Sequence, residues 1–161
     1  MISARQLDRR TTRWLLAGGI GSGIASLLHV GIIAGGPDWY RFFGAGERMA
    51  RLAAAGSPYP AIITAGIATI LAVWTLYALS GARVIRPLPL LRIALLLIAA
   101  VYLLRGLLGI PVVLIVSDPY TMQLRAKMTF MVVSSALCIV LGLCYVVGAV
   151  GVAKLEQEPT Q

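Results

Sequence analysis

Arg105 is the residue of this sequence whose type and position most plainly require a chemical explanation. It lies inside the apolar stretch 90–116, LLRIALLLIAAVYLLRGLLGIPVVLIV, 13 residues after Arg92 and 13 before Asp118. In a helix each of these intervals is roughly 20 Å long. A cation at that depth in a bilayer costs about 2.5–3.5 kcal/mol or more unless it reaches water, headgroups or a partner. The rest of the chain therefore has to provide a counter-ion, a ligand or an exit for this charge.

We expect a layer of polar side chains at the depth of Arg105. If the first and third spans run in the same direction, His29 and Arg105 each lie about 22 Å from the start of their span. Tyr102 precedes Arg105 by three residues and lies on the same side of the helix. The predicted ligand-binding layer consists of Arg105, His29, Glu47, Tyr102, Ser134, Ser135 and Thr64.

The partner of Arg105 has to come from outside the predicted spans, because none of them contains an acidic residue. In a structural role, Arg105 would pair with Asp38 or Glu47 of the first loop or snorkel to the headgroups. The alternatives are a lipid phosphate or other anionic ligand, and a partner subunit. His29 has a plain alternative of its own, as a hydrogen-bonded packing residue.

Candidates for catalysis are few. The only acid–base groups near the membrane are His29, Asp38 and Glu47, and no nucleophile–base pair is apparent. Cys138 and Cys144 are six residues apart, point to different faces of one helix and are interpreted as packing residues. One histidine and two separated cysteines disfavour a metal site, and we predict no cofactor. The lack of an intramembrane carboxylate also disfavours proton-driven export.

These residues lie on or beside membrane spans that the composition predicts. Hydrophobic residues make up 59% of the 161-residue chain and charged residues 12%, against about 25% charged in soluble domains. The mean hydropathy is +0.88. The net charge of +8 comes from basic residues that flank apolar runs, which indicates membrane topology and not nucleic-acid binding.

The sequence predicts an all-α integral membrane protein, a four-transmembrane-helix bundle that forms one domain over residues 1–161. The predicted spans cover residues 14–34, 60–80, 89–116 and 128–150. The first run follows a basic head, as in a signal peptide, but it is longer than an h-region, so we interpret it as a retained span. The third would be about 40 Å long against a 30 Å core, so tilt, a kink at Pro111 or a projecting end has to absorb the excess.

A short amphipathic helix lying in the membrane interface is predicted for residues 40–55, between the first two spans. Its apolar face comprises Phe42, Ala45, Met49 and Leu52. Gly44 and Gly46 leave an irregular loop as the alternative. We expect a turn at residues 35–38, a loop at 117–127, and a frayed tail after the fourth span.

Orientation follows from the basic residues of the connections. The N-terminus, the second loop and the tail hold seven Lys and Arg, and the first and third loops hold five. This bias favours both termini in the cytoplasm. Arginine outnumbers lysine 12 to 2, which hints at a GC-rich bacterial genome and hence at a bacterial inner membrane.

Small residues are concentrated in the first span. Gly19 and Gly23 form a GxxxG motif, and Gly18, Ser22 and Ser26 repeat every fourth residue. Such faces allow helices to approach closely. Internal packing against the other spans and a homodimer interface are both compatible with this pattern.

The sequence is compatible with three functions. The first is a non-enzymatic bundle that binds or carries a lipid-like or amphipathic anionic ligand near the outer leaflet, with membrane lipids as its partners. The second is an accessory or assembly subunit of a larger membrane complex. The third, an integral-membrane enzyme, is the least supported by the residues present.

Overall fold

Six helices make up the regular structure of the part of the chain that the computed structural model describes, residues 4–157 without the side chains of 4–7 and 156. They are α1 (Ala4–Phe42), α2 (Glu47–Ala54), α3 (Tyr59–Gly81), α4 (Leu91–Ile115), α5 (Pro119–Arg125) and α6 (Met128–Gln157). Four of them, α1, α3, α4 and α6, are long and apolar enough to span a membrane. The predicted four-span helical fold is confirmed.

The four long helices form a bundle in the order α3, α1, α6, α4. α1 packs extensively on α3 and α6, and α4 packs mainly on α6. α3 and α4 contact each other much less extensively, so their seam is the loosest of the four. Both ends of the described chain and the connection 82–90 lie at one end of the bundle, here called the terminal end. α2 and α5 lie at the opposite end, called the capped end.

Glycines of α1 and α6 set the closeness of the helices. A Cβ on Gly19 would lie 3.0 Å from the Cβ of Ala78, and one on Gly23 would lie 3.6 Å from Oγ1 of Thr75. The GxxxG motif therefore faces α3 within a single chain. On the neighbouring side of α1, Leu15 occupies the space that a side chain at Gly148 of α6 would need.

α1 is kinked at Gly36, which has φ 68° and ψ −153°. Only glycine adopts this conformation readily, and Pro37 then begins the next helical turn. A Cβ on Gly35 would overlap the ring of Trp39, which folds back over it. The helix from Trp14 to Gly35 is about 32 Å long at 1.5 Å per residue, close to the thickness of a hydrocarbon core.

The predicted interfacial helix is shorter than expected. α2 covers residues 47–54 in place of 40–55, because residues 40–42 still belong to α1. Gly44 and Gly46, with φ of 75° and 94°, break the helix between them. Both conformations are left-handed and suit glycine.

The connection 117–127 was predicted as a loop, and this prediction was wrong for its central part, which forms α5. The carboxylate of Asp118 accepts hydrogen bonds from the backbone N–H of Tyr120 at 2.7 Å and of Thr121 at 3.1 Å. Oγ1 of Thr121 in turn accepts a hydrogen bond from the backbone N–H of Asp118 at 3.1 Å, and Pro119 occupies the first turn of the helix. Asp118-Pro119 is therefore a helix start and not only a turn.

The outer two spans extend beyond their predicted bounds. α1 starts ten residues before Trp14, and α6 continues to residue 157 in place of 150. The last part of the tail that was predicted to fray, residues 158–161, lies outside the described residues. α4 covers 91–115, within two residues of the prediction, and continues through Pro111.

Two basic side chains stabilise helix ends at the capped end. Lys127 donates from Nζ to the carbonyl oxygen of Arg41, at the C-terminus of α1. Arg125 donates from Nε to the carbonyl of Val113 and from Nη2 to that of Leu114, both at 2.7 Å, at the C-terminus of α4. These cations bind carbonyls in the last turns of the helices, at the negative ends of their dipoles.

Candidate functional site

Arg105 lies on an exposed flank of α4, and its side chain runs toward the capped end. A Cβ on Gly109 would overlap Nη1 of Arg105, so the guanidinium lies over this glycine, one turn further along the helix. Long helical side chains usually point the other way, toward the N-terminus. Gly109 is about 9 Å from the end of α4 at Ile115. The charge is therefore displaced from the middle of the span toward the headgroup region at the capped end.

The hydroxyl of Ser135 lies beside the same glycine. A Cβ on Gly109 would be 3.1 Å from Oγ of Ser135, which belongs to α6. Ser135 is 2% exposed, and its Oγ has no hydrogen-bond partner among the described residues. A buried polar group without a partner costs about 1–3 kcal/mol. Arg105 and Ser135 thus adjoin one small space that Gly109 leaves open.

Arg105 forms no ion pair or hydrogen bond with any described residue. Asp38 and Glu47 were considered as counter-ions of Arg105. Both instead form ion pairs with Arg41, each at 3.0 Å. Asp8 pairs with Arg83 at 3.4 Å. The hypothesis of a Glu47–Arg105 pair is therefore not realised in this structure.

The other residues of the predicted layer do not converge on Arg105. His29 donates from Nδ1 to the carbonyl oxygen of Ala25, one turn earlier in α1, at 2.7 Å. Ser134 donates to the carbonyl of Met131 in its own helix at 3.1 Å. Thr64 is buried on α3, and Glu47 lies at the capped end. Of the seven predicted residues, the structure brings only Arg105 and Ser135 together.

Tyr102 belongs to a buried hydroxyl network that the sequence did not reveal. Oγ of Ser22 lies 2.9 Å from the hydroxyl of Tyr102 and 2.9 Å from that of Tyr145. Tyr145 donates to the carbonyl of Trp74 at 3.1 Å, so its oxygen accepts from Ser22 and Ser22 accepts from Tyr102. The protons are thus ordered from α4 through α1 to α6 and α3. A tyrosine deep in the fourth span was the available signal, since buried tyrosine hydroxyls need partners.

The angular position of Arg105 places it on the α3 side of α4. At 3.6 residues per turn, Arg105 lies about 60° to one side of the core-facing Tyr102 and Gly106 lies about 40° to the other. Gly106 faces α6, because a Cβ there would be 2.6 Å from Cγ1 of Ile139. Arg105 therefore lies over the loosely packed seam between α3 and α4.

The seam has a closed and an open part. Trp74 of α3 and Tyr102 of α4 close it near the middle of the bundle, with ring centroids 4.9 Å apart and nearly perpendicular. Beyond this contact, Gly109 is level with about residue 67 of the antiparallel helix α3. Ile67 there is 42% exposed. We name the region where Arg105, Gly109 and Ser135 meet, at this level of α4, the seam site.

Comparison of the chain with protein-family models, with curated proteins and with solved structures finds no match. The functional interpretation of the seam site therefore depends on its donors. Arg105 offers a charged fork of N–H groups and Ser135 a hydroxyl, and no carboxylate lies among the residues that form the site. Such a set binds the oxygens of a phosphate or carboxylate group. Among the described residues, no cluster of His, Cys, Asp and Glu could hold a metal ion.

A second polar site lies at the capped end, around a cavity of about 460 Å³. Its lining includes Arg41, Glu47, Tyr120, Gln123 and Lys127. These groups bond within the protein: the Tyr120 hydroxyl donates to the Gly44 carbonyl at 3.1 Å, and Gln123 accepts from the Glu47 N–H at 3.0 Å. Hydrogen bonds from Arg41 hold the pKa of Glu47 below its ordinary value of 4.5. This site joins α1 and α2 to α5, and the polar groups named here already have hydrogen-bond partners within the protein.

Proposed function

We propose that this protein is a non-enzymatic membrane bundle that binds an amphipathic anion, with a lipid phosphate as the group recognised by the seam site. The observation that carries the proposal is the pair formed by Arg105 and Ser135. A guanidinium that has no counter-ion and a buried hydroxyl that has no hydrogen-bond partner among the described residues lie at one glycine, near one end of a span.

An anion in this position would stabilise both groups. A guanidinium binds phosphate oxygens through parallel N–H bonds, which are about twice as strong as bonds between neutral groups. The hydroxyl of Ser135 would donate a further hydrogen bond to the anion. This bond would remove the free-energy cost of burying the hydroxyl without a partner. The seam beside it exposes apolar side chains such as Ile67, along which an acyl chain can lie.

The position of the site also selects a leaflet. We place the protein in a bacterial inner membrane with both termini in the cytoplasm, because the terminal end carries more Lys and Arg than the capped end. The seam site then faces the outer leaflet. Carrying such a lipid and sensing it both require a site of this kind.

Lipid retention by purified variants tests the proposal. We expect Arg105→Gln to lower the amount of anionic phospholipid that stays bound in native mass spectrometry by roughly tenfold, the loss of one charge-assisted contact. Ser135→Ala should lower it less. Arg48→Gln is the matched control, because Arg48 is an exposed arginine near the same end with no described ion pair. Equal lipid retention by Arg105→Gln and Arg48→Gln would refute the proposal.

A further inference from the structure

A group of three arginines and a tryptophan lies at the other end of the bundle, near the start of α1. Arg9, Arg10, Arg13 and Trp14 line one surface hollow of about 360 Å³. Arg9 with Arg13 and Arg10 with Trp14 are one helical turn apart, so they form two adjacent columns on α1. The opposite side of this turn is buried, with Thr11 and Leu15 packed on α6.

None of these three arginines has an ion pair among the described residues. Asp8, the only acidic residue nearby in the chain, is held by Arg83 across the bundle at 3.4 Å. The hollow therefore concentrates like charges, which repel each other along the helix, and no described residue contributes a carboxylate to its lining. Charge complementarity calls for an anion.

Depth identifies the kind of anion. Trp14 is 38% exposed and begins the apolar part of α1, about 32 Å before the kink at Gly36. Tryptophan at such a boundary lies at the level of the headgroups, and the three arginines then lie at phosphate level. One to three turns further along α1, Ile20 and Ile24 are 60% and 63% exposed, toward the acyl chains.

We propose that Arg9, Arg10, Arg13 and Trp14 form a binding site for an anionic phospholipid of the leaflet at the terminal end. The guanidinium groups bind the headgroup phosphate, and the acyl chains extend along the exposed apolar face of α1. This site is separate from the seam site in its helix, its residues and its leaflet.

Electron spin resonance with doxyl-labelled lipids tests the proposal. The protein carries Arg105→Gln, which removes the seam site, and is reconstituted in phosphatidylcholine. We expect labelled phosphatidylglycerol to be immobilised in preference to labelled phosphatidylcholine. Arg10→Gln with Arg13→Gln should lower this preference by roughly thirtyfold, because each cation near an anionic lipid contributes about 1 kcal/mol, a factor of about five.

The matched control removes two other arginines from the same end. Arg86 and Arg92 are exposed, have no described ion pair and lie outside the hollow. Arg86→Gln with Arg92→Gln should leave the preference within about twofold of the starting protein, since screening limits what a distant charge contributes. If Arg10→Gln with Arg13→Gln does not yield folded protein, each single variant is expected to lose part of the preference.

Two results would overturn the proposal. One is an equal loss of preference in both double variants, which would show a diffuse charge effect. The other is displacement of labelled phosphatidylglycerol by inorganic phosphate at equal concentration, which would show a site for free phosphate. Retention of the preference in Arg105→Gln separates this site from the seam site, whatever the outcome there.

Discussion

At the scale of single residues, Gly109 decides where the charge of Arg105 lies. The guanidinium occupies the space that any side chain at position 109 would take. This explains a glycine within an apolar span, where it costs about 0.5–1 kcal/mol relative to alanine. The glycine gives the arginine a path toward the headgroups and brings it to Ser135.

Gly109→Ala is expected to displace the guanidinium and lower the retention of anionic lipid as Arg105→Gln does. The fold should survive, because the overlapping atom is the end of the flexible Arg105 side chain and Oγ of Ser135 has to shift by only a few tenths of an ångström. Gly66→Ala is the control, since a Cβ there would meet nothing within 4 Å. We expect normal lipid retention and a small gain in melting temperature from Gly66→Ala. Normal retention in Gly109→Ala would contradict the assigned path of Arg105.

The stability of the capped end is expected to depend on pH through the ionisation of Glu47. Its pKa is lowered by Arg41, so its ion pair contributes stability above the ordinary pKa of 4.5 and loses it as pH falls through the lowered value. We expect the melting temperature in detergent to fall on acidification below about pH 4.5. Glu47→Gln should melt lower at neutral pH and show a smaller acid-induced decrease. Identical pH profiles for the two proteins would show that the pair adds nothing to stability.

At the scale of elements, the close packing of α1 on α3 determines what the GxxxG motif does. Gly19 and Gly23 both face α3, in line with internal packing, the first of the two alternatives that the sequence left open. A dimer through the same face would have to displace α3.

Gly19→Ile is therefore expected to lower the melting temperature strongly or to prevent folding, because its Cβ already lies 3.0 Å from Ala78 before the larger atoms are added. Overpacking of this kind costs about 1–3 kcal/mol. Gly66→Ile, on an open face of α3, should fold normally. Size-exclusion chromatography with a thermal melt distinguishes the outcomes. A folded Gly19→Ile monomer derived from an oligomeric parent would contradict internal packing.

The sequence predicted the long elements well and the contacts between them poorly. Apolar runs of about 20 residues define spans, because unpaired backbone groups are too costly in lipid. The capping box of Asp118 and Thr121 was also readable, but the Asp-Pro pair had been interpreted as a turn. The direction in which a residue faces was not readable, because nearly all positions of a span are apolar. The hydrogen-bond partners of Tyr102 were therefore not foreseen. Ser22 was recognised only as a small residue, and its bonds to two tyrosines depend on three helices.

At the scale of the whole molecule, the two proposed sites lie at opposite ends of the bundle and so in opposite leaflets. The terminal end presents arginines of α1 that have no acidic partner among the described residues, whereas the capped end uses Arg41, Arg125 and Lys127 for internal contacts. Among the described residues, more basic side chains lack an ion pair at the terminal end than at the capped end. This asymmetry favours retention of the terminal end in the cytoplasm.

Orientation is testable with single cysteines in a protein that carries Cys138→Ala and Cys144→Ala. We expect Arg48→Cys, at the capped end, to react with an impermeant maleimide added to intact spheroplasts. Arg86→Cys, at the terminal end, should react only after the membrane is opened. Labelling of Arg86→Cys and protection of Arg48→Cys would reverse the orientation and place the seam site in the inner leaflet.

Photo-crosslinking beside Arg105 tests the seam site most directly. A benzophenone amino acid replaces Leu108, an exposed residue on the neighbouring turn of α4, or Val133, an exposed residue on the side of α6 opposite Ser135 at similar depth. Irradiation in a membrane of known composition is followed by mass spectrometry of the attached lipids. We predict enrichment of anionic phospholipid over its bulk fraction at position 108, none at position 133, and loss of the enrichment in Arg105→Gln. Adducts at position 108 that match the bulk lipid composition, with or without Arg105, would contradict anionic-lipid binding at the seam site.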